Sequence, residues 1–237
     1  MVISLKRFLC VLLLIACAIL FLISSFTAYA NLTAFASKNE ENVTVIIDPG
    51  HGGEDGGAVA EDGTVEKDLN LLIAMKLKAL FIQNGFNVIT TRETDIAIYD
   101  DGLDSLRRKK TSDMKNRLAI FNDNPNNIII SIHQNKFEQS KYHGTQIFYS
   151  NNNSQSALLA DEIKKSVISL LQPENKRETK AADKNIYLLY NCENPAVIVE
   201  CGFISNPSEL NLLKDDEYQG EIALSIFNGF MNHYSKQ

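Results

Sequence analysis

The sequence predicts an α/β fold: one three-layer domain, a six-stranded, mostly parallel mixed sheet with helices on both faces. Three observations carry that expectation. Short β-branched runs alternate with longer segments of helical apolar spacing along most of the chain. The run Ile128–His133 (IIISIH) is apolar on successive residues, as a strand buried on both faces is, and Ala196–Glu200 (AVIVE) is nearly as apolar. Of 237 residues, about 207 follow a hydrophobic leader, enough to bury one sizeable core.

The leader comes first. Lys6 and Arg7 stand before a stretch, Phe8–Ser37, with no charged residue. Phe8–Phe26 is mostly apolar and, as a helix, nearly long enough to cross a bilayer's hydrocarbon core. Ala28-Tyr29-Ala30 also fits a signal-peptidase site, with release at Asn31. Residues 1–30 are therefore read as a signal peptide or an N-terminal membrane anchor, residues 31–41 as a linker and residues 42–237 as the body. Leu14-Ile15-Ala16-Cys17 allows a third reading, lipidation at Cys17, against which the continuing apolar run counts. All three place the body outside the cytoplasm, secreted or membrane-anchored, with Lys6 and Arg7 left inside.

In the body, Val43–Asp48 is a β-branched strand ending at a Pro-Gly turn. Lys67–Asn84 has apolar residues at helical spacing, and Gly85 suits its end. Asn87–Thr91 is a second strand and Asp113–Asn122 a short amphipathic helix. Ile128–His133 and Gly144–Tyr149 are strands whose hairpin-like proximity predicts a mixed sheet. Ser156–Leu171 and Asp216–Tyr234 are helices, and Ile186–Leu189 and Ala196–Glu200 complete the strands. Asp95–Asp113 is a polar, mixed-charge excursion without clear periodicity.

Composition removes several functions. Setting Lys6 and Arg7 aside leaves 21 basic against 29 acidic residues, a charge of −8, which argues against nucleic acid as a partner. A 45% hydrophobic and 22% charged chain is not a disordered one. Cys192 and Cys201 flank an apparent strand that holds them beyond disulfide reach, so both are expected free and buried.

Four segments carry chemistry. His51 lies in a glycine-rich turn, DPGHGG, just past a strand, where ligands of α/β sheets collect. Glu66 opens the first body helix; alone it reads as a helix-dipole residue, but it follows the histidine loop directly. His133 ends the Ile-rich strand, where a hydrogen-bonded core histidine is the competing reading. Glu200 closes a strand so apolar that an unpaired carboxylate there is costly, which suits a general acid or base. Two histidines and a glutamate are the ligand set of an open catalytic zinc site. A second carboxylate could then carry protons. The separations of 15, 67 and 67 residues do not by themselves prove convergence.

VIIDPGHGGEDGGA, VEKDLNL, SIHQN and PAVIVECGFISNPSEL resemble the zinc-dependent N-acetylmuramoyl-L-alanine amidases of the amidase-3 family, from about Val43 to the last helix. The resemblance implies zinc (Zn2+) held by His51, Glu66 and His133, and Glu200 as the catalytic carboxylate. It implies hydrolysis of the amide between N-acetylmuramic acid and L-alanine of the peptidoglycan stem peptide. RRKKTSDMKNRL and the lone body behind an N-terminal membrane segment resemble the spore-cortex branch, whose members act in muramic-δ-lactam formation. That branch implies a possible membrane-associated lipoprotein partner and the forespore intermembrane space as one location. Gln134 and Lys136-Phe137 depart from the small residues common at those positions, which bears on cleft lining and substrate preference.

Asn135 is a candidate to orient His133 or the substrate, and Arg92 a candidate to support the metal ligands from behind or to bind a peptide carboxylate, with a surface salt bridge as the competing reading. His143 is not expected to be a ligand, and His233, near a helix end, reads as structural. A zinc carboxypeptidase is the competing enzyme, because His51 and Glu54 form the H-x-x-E spacing. A catalytically inactive peptidoglycan-binding module is the non-enzyme alternative. No wall-binding repeat precedes Gln237, so the leader or a protein partner is expected to hold the domain near its polymer.

Overall fold

The computed structural model describes the backbone of residues 5–38 and 43–236, with side chains from 43 onward and, before that, of residues 9, 10, 12–25 and 27. The chain separates into two compact units, Met1–Asn42 and Val43–Gln237. The first is a single helix, α1 (Leu5–Lys38), whose described leucines and isoleucines are exposed. Among the described residues no helix is long and apolar enough to cross a membrane. The expected span includes Phe8, Val11 and Phe26, whose side chains lie outside the described residues, as do those of the cleavage site at 28–30 and the linker at 31–41.

The second unit begins with β1 (Thr44–Pro49), α2 (Glu66–Gln83), β2 (Asn87–Thr90), α3 (Leu106–Asn122) and β3 (Asn127–Asn135). It continues with β4 (Gln146–Tyr149), α4 (Ser154–Leu170), β5 (Lys180–Ala181) and α5 (Tyr187–Asn191). It closes with β6 (Ala196–Phe203), α6 (Pro207–Leu213) and α7 (Asp216–Tyr234). The six strands form one sheet in the order β2-β1-β3-β6-β4-β5, parallel except where β4 runs antiparallel to β6. The expected six-stranded, mostly parallel mixed sheet is the one found.

Residue alternation divides the sheet's surroundings. Ile46, Ile129 and Ile198 point to one face, where they pack with Phe121 of α3 and Leu189 of α5. The other face is covered by α2, α4 and α7. Leu69, Ile73, Leu77 and Phe81 recur every four residues on α2 and are buried, as are Ile222, Ile226 and Phe230 on α7. Toward the carboxyl ends of β3 and β6 the same face carries His133, Asn135 and Glu200.

Three expectations are corrected. Residues 186–189 are not a strand: Tyr187–Asn191 is a short helix, and the two-residue β5 comes earlier, at exposed Lys180–Ala181. A four-residue apolar run fits a buried helix turn as well as a strand, and periodicity cannot separate them. Helix α3 starts at Leu106, inside the excursion read as irregular, with Ser105 capping Arg108 N at 3.4 Å. Its first turns are solvated and charged, which hides the period. Finally, the sheet is mixed because β4 pairs with β6, which inserts between it and β3. Cys192 and Cys201 are free and buried as expected, and burial raises their thiols, that of Cys192 to about 11.

Candidate active site

His51 lies in the turn after β1, with a backbone φ of 64°, a region that costs a non-glycine residue of order 1–3 kcal/mol. The turn is held by its carbonyls. Arg117 on α3 donates from Nη2 to His51 O (2.8 Å) and from Nη1 to Pro49 O (2.9 Å). Arg92 donates from Nε to Pro49 O (3.0 Å) and from Nη2 to Gly50 O (3.0 Å) and Lys67 O (2.8 Å). Asn70 Nδ2 donates to Gly50 O at 3.1 Å. Three consecutive carbonyls thus face buried donors, and the strained residue is fixed from behind.

Of the readings of Arg92, support of the site from behind is the one compatible with this position, and the other two are not. It is 2% exposed, so it neither meets a substrate carboxylate nor forms a surface salt bridge; its donors are spent on backbone carbonyls. Arg117 is equally buried and is paired with Asp48 and with Asp113 (2.7 Å). Asp48 also accepts from Thr91 (2.7 Å) and Ser131 (2.6 Å). Burial alone would raise Asp48, but Arg117 and the two hydroxyls hold it below the usual carboxylate range.

Glu66 is the first residue of α2 and nearly buried. Its Oε2 accepts from Ala58 N (2.8 Å) and its Oε1 from Gln134 N (3.1 Å) and Asn70 Nδ2 (3.3 Å). Oε1 also lies 2.9 Å from His133 Nδ1 and 3.3 Å from His51 Nε2. Burial opposes its charge, yet the two imidazoles hold the carboxyl far below its ordinary range. His51 Nδ1 meets Asp55 Oδ2 at 2.8 Å, and Lys110 reaches the same carboxylate at 3.2 Å. Burial lowers the His51 imidazole, but Asp55 and Glu66 outweigh it and bring it to about 9.

Two glycines make room for this convergence. A β-carbon on Gly50 would lie 2.1 Å from His133 Nε2, and one on Gly57 would lie 2.6 Å from both Glu66 Oε2 and the His51 ring. Gly57 also has a φ of 71°, which L side chains rarely adopt. One ligand atom from each of His51, Glu66 and His133 lies within 4.8 Å of the others. Two imidazole nitrogens and a carboxylate oxygen, part-buried and open on one side, fit a three-ligand zinc site with a free coordination position. Glu54, the carboxypeptidase-like candidate, is outside this group; its side chain is 56% exposed and paired with Lys109.

Glu200 sits in register with His133 on β3 and with Gln146 on β4. Its Oε2 is buried and has no hydrogen-bond partner among the described residues. Burial raises its carboxyl to about 7, the neighbouring His133 pulling it down and Glu66 pushing it up. Such a group can both take and give a proton near neutral pH. Asn135 follows His133 on the same face, but its side chain makes no hydrogen bond to that ring among the described residues; it lines the adjoining cavity instead. His143 is exposed and His233 buried near the end of α7, both away from the cluster. Asp55, Gly57, Asn70 and Arg117 were missed, although Asp55 and Gly57 belong to the glycine-rich motif itself.

A family model described as N-acetylmuramoyl-L-alanine amidase matches residues 45–232. The germination-specific N-acetylmuramoyl-L-alanine amidase of Bacillus subtilis is 33% identical over 197 residues, 81% of this chain and 80% of that protein. The structure of the CwlD amidase from Clostridioides difficile in complex with the GerS lipoprotein matches with a TM-score of 0.79 and 41% identity, covering 83% of this chain and all of that one. An N-acetylmuramoyl-L-alanine amidase from Clostridium difficile 630 matches with a TM-score of 0.70 and 28% identity, over 82% of this chain and 98% of that one.

Proposed function

Because the chain belongs to the N-acetylmuramoyl-L-alanine amidase family, we propose that this peptidoglycan amidase is a zinc enzyme whose metal is held by His51, Glu66 and His133. The observation that supports it most is the donor set: two imidazoles and a carboxylate converge, while the buried Oε2 of nearby Glu200 has no hydrogen-bond partner among the described residues. When bound, zinc supplies Lewis-acid polarisation of the amide carbonyl and a lowered pKa for the attacking water. The protein does the rest. Asp55 orients His51, and the main-chain amides of Ala58 and Gln134 keep Glu66 charged and aimed. Glu200 takes the proton of the attacking water and returns it to the departing amino group of L-alanine.

The glycan and peptide leave as separate products, one with a free lactyl carboxylate and one with a free N-terminal L-alanine. We place this step in spore-cortex maturation, where peptide-stripped muramic acid is the precursor of muramic-δ-lactam. Similarity to a germination-specific amidase supports that placement. The match to an amidase solved with a lipoprotein supports a lipoprotein partner for this chain too. Cell-wall amidase relatives imply extracytoplasmic action, and residues 1–30 are proposed to deliver or anchor the enzyme there.

The role of Glu200 is tested by Glu200→Gln. The variant should bind one zinc per chain like the parent while peptide release falls by at least about a hundredfold, the scale of general acid–base catalysis. Metal analysis and an amino-group assay read the two effects separately. Retained turnover would remove Glu200 from the chemistry.

A further inference from the structure

The site has a second compartment. Residues that face each other across antiparallel strands project to the same side, so Gln146, opposite Glu200, and Phe148, opposite Ile198, share the face that carries the catalytic carboxylate. Next to them lies a cavity of about 390 Å³ whose walls include Asn135, Phe148, Phe203, Arg177 and Lys180. Gln146, the cross-strand neighbour of Glu200, is one of its lining residues, so the cavity lies one strand away from that carboxylate.

Its charge is unlike that of the body. No aspartate or glutamate lines it, in a chain with 29 acidic residues. Arg177 is held rather than free to wander. Its Nε donates to His143 O at 2.7 Å, its guanidinium stacks 4.5 Å from the Phe203 ring centre, and Nη1 donates to Gln146 Oε1 at 3.4 Å. Gln146 is itself fixed, donating from Nε2 to Glu178 O at 2.6 Å. Among the described residues neither Arg177 nor Lys180 has a carboxylate within 4.0 Å, although Lys164 of the neighbouring helix α4 has one, Glu178. A carboxylate that does feel Arg177, that of Glu209, has its two oxygens already taken by the main-chain amides of Gly144 (2.8 Å) and Phe203 (2.9 Å). A preorganised guanidinium in an aromatic-walled cavity, with no ion pair of its own among the described residues, is built to accept an anion from outside.

We propose that Arg177, seconded by Lys180, binds a carboxylate of the stem peptide and so selects substrates whose peptide carboxylates are free over those whose carboxylates are amidated. This deepens the amidase reading and rests on it for the identity of the ligand. Of the two arms that meet at the scissile amide, the glycan offers hydroxyl groups and the peptide offers carboxylates. A cationic cavity one strand away from Glu200 thus fits the peptide arm. Phe203 and Phe148 exclude water from the ion pair, which strengthens it.

Binding is measured by calorimetry with zinc-loaded Glu200→Gln protein, which does not consume its ligand. The two probes are a muramoyl tetrapeptide with free carboxylates and the same fragment with every peptide carboxylate converted to an amide. The free form is expected to bind about tenfold more tightly, the scale of one charge-assisted hydrogen bond. Adding Arg177→Gln should erase that ratio, Arg177→Lys should keep part of it, and the distant Lys165→Gln should leave it whole. Equal binding of the two fragments, or a ratio that survives Arg177→Gln, overturns the proposal. The amidase reading fails separately, if the unsubstituted enzyme leaves the muramoyl–alanine amide of the free fragment intact, since the binding ratio does not depend on turnover.

Discussion

Asp55 shows how much of this site is decided one residue away from the proposed metal ligands. Its carboxylate takes one nitrogen of His51 at 2.8 Å and leaves the other turned toward Glu66. Removing such a partner costs metal affinity without removing a ligand. Asp55→Ala is expected to weaken zinc binding about 10- to 100-fold, measured by competition with a chelator. Unchanged affinity would mean that the ring is oriented by the backbone alone. Gly57→Ala should be more severe, because the new methyl group would meet both Glu66 and His51 and the backbone would resist its φ. The expected outcome is a folded chain without stoichiometric zinc. The candidates His51, Glu66, His133 and Glu200 stood out in the sequence because three apolar runs lead into a histidine or carboxylate and Glu66 opens a helix; in the structure β6 runs on past Glu200 to Phe203. Asp55, Asn70 and Arg117 did not stand out, because their meaning lies in partners that sequence distance conceals. For the same reason the sequence left Arg92 open between support, substrate binding and surface: an arginine after a strand looks like surface until the carbonyls it serves are seen.

At the scale of elements, α3 is the part that sequence patterning understated and that the site depends on. The segment RRKKTSDMKNRL is most of this helix, and its polar residues are used for construction. Asp113 accepts from Ile98 N, Asn116 donates to Ile98 O, and Arg117 joins α3 to Asp48 and the His51 turn. Breaking a buried pair leaves an uncompensated charge, so Arg117→Met should destabilise the fold by about 3–5 kcal/mol in denaturant titration. The pair also sets an acid limit. Asp48 is lowered in the folded state, so its contribution is complete above its ordinary value of 3.8. It is lost as pH falls below that toward the lowered folded value. Stability measured down this range should fall in the parent, and the acid slope should be shallower in Asp48→Asn. On the opposite face, Gly229 of α7 lies so close to α4 that a β-carbon would stand 2.3 Å from Ile163 Cα. Gly229→Ala should therefore cost about 1–3 kcal/mol of stability while zinc binding persists. The long amphipathic helices were readable because their period survives over four turns. The two-residue β5 and the single turn of α5 are too short to carry one.

For the whole molecule, the parallel core strands bring residues separated by 15, 67 and 67 positions to one end of one sheet. The strands β1, β3 and β6 are adjacent, so the turn after β1, the last residues of β3 and the second half of β6 bring His51, His133 and Glu200 together, and α2 begins with Glu66 against both histidines. The β4 strand, running the other way, opens the face beyond Glu200 where Arg177 waits. The most direct test of the account is the rate at which peptides with a free N-terminal L-alanine appear from purified peptidoglycan, measured against zinc bound per chain. A zinc amidase releases them at a rate proportional to zinc occupancy, and the release is lost when the metal is stripped. Release that is indifferent to zinc, or free D-alanine in place of peptides beginning with L-alanine, would contradict it.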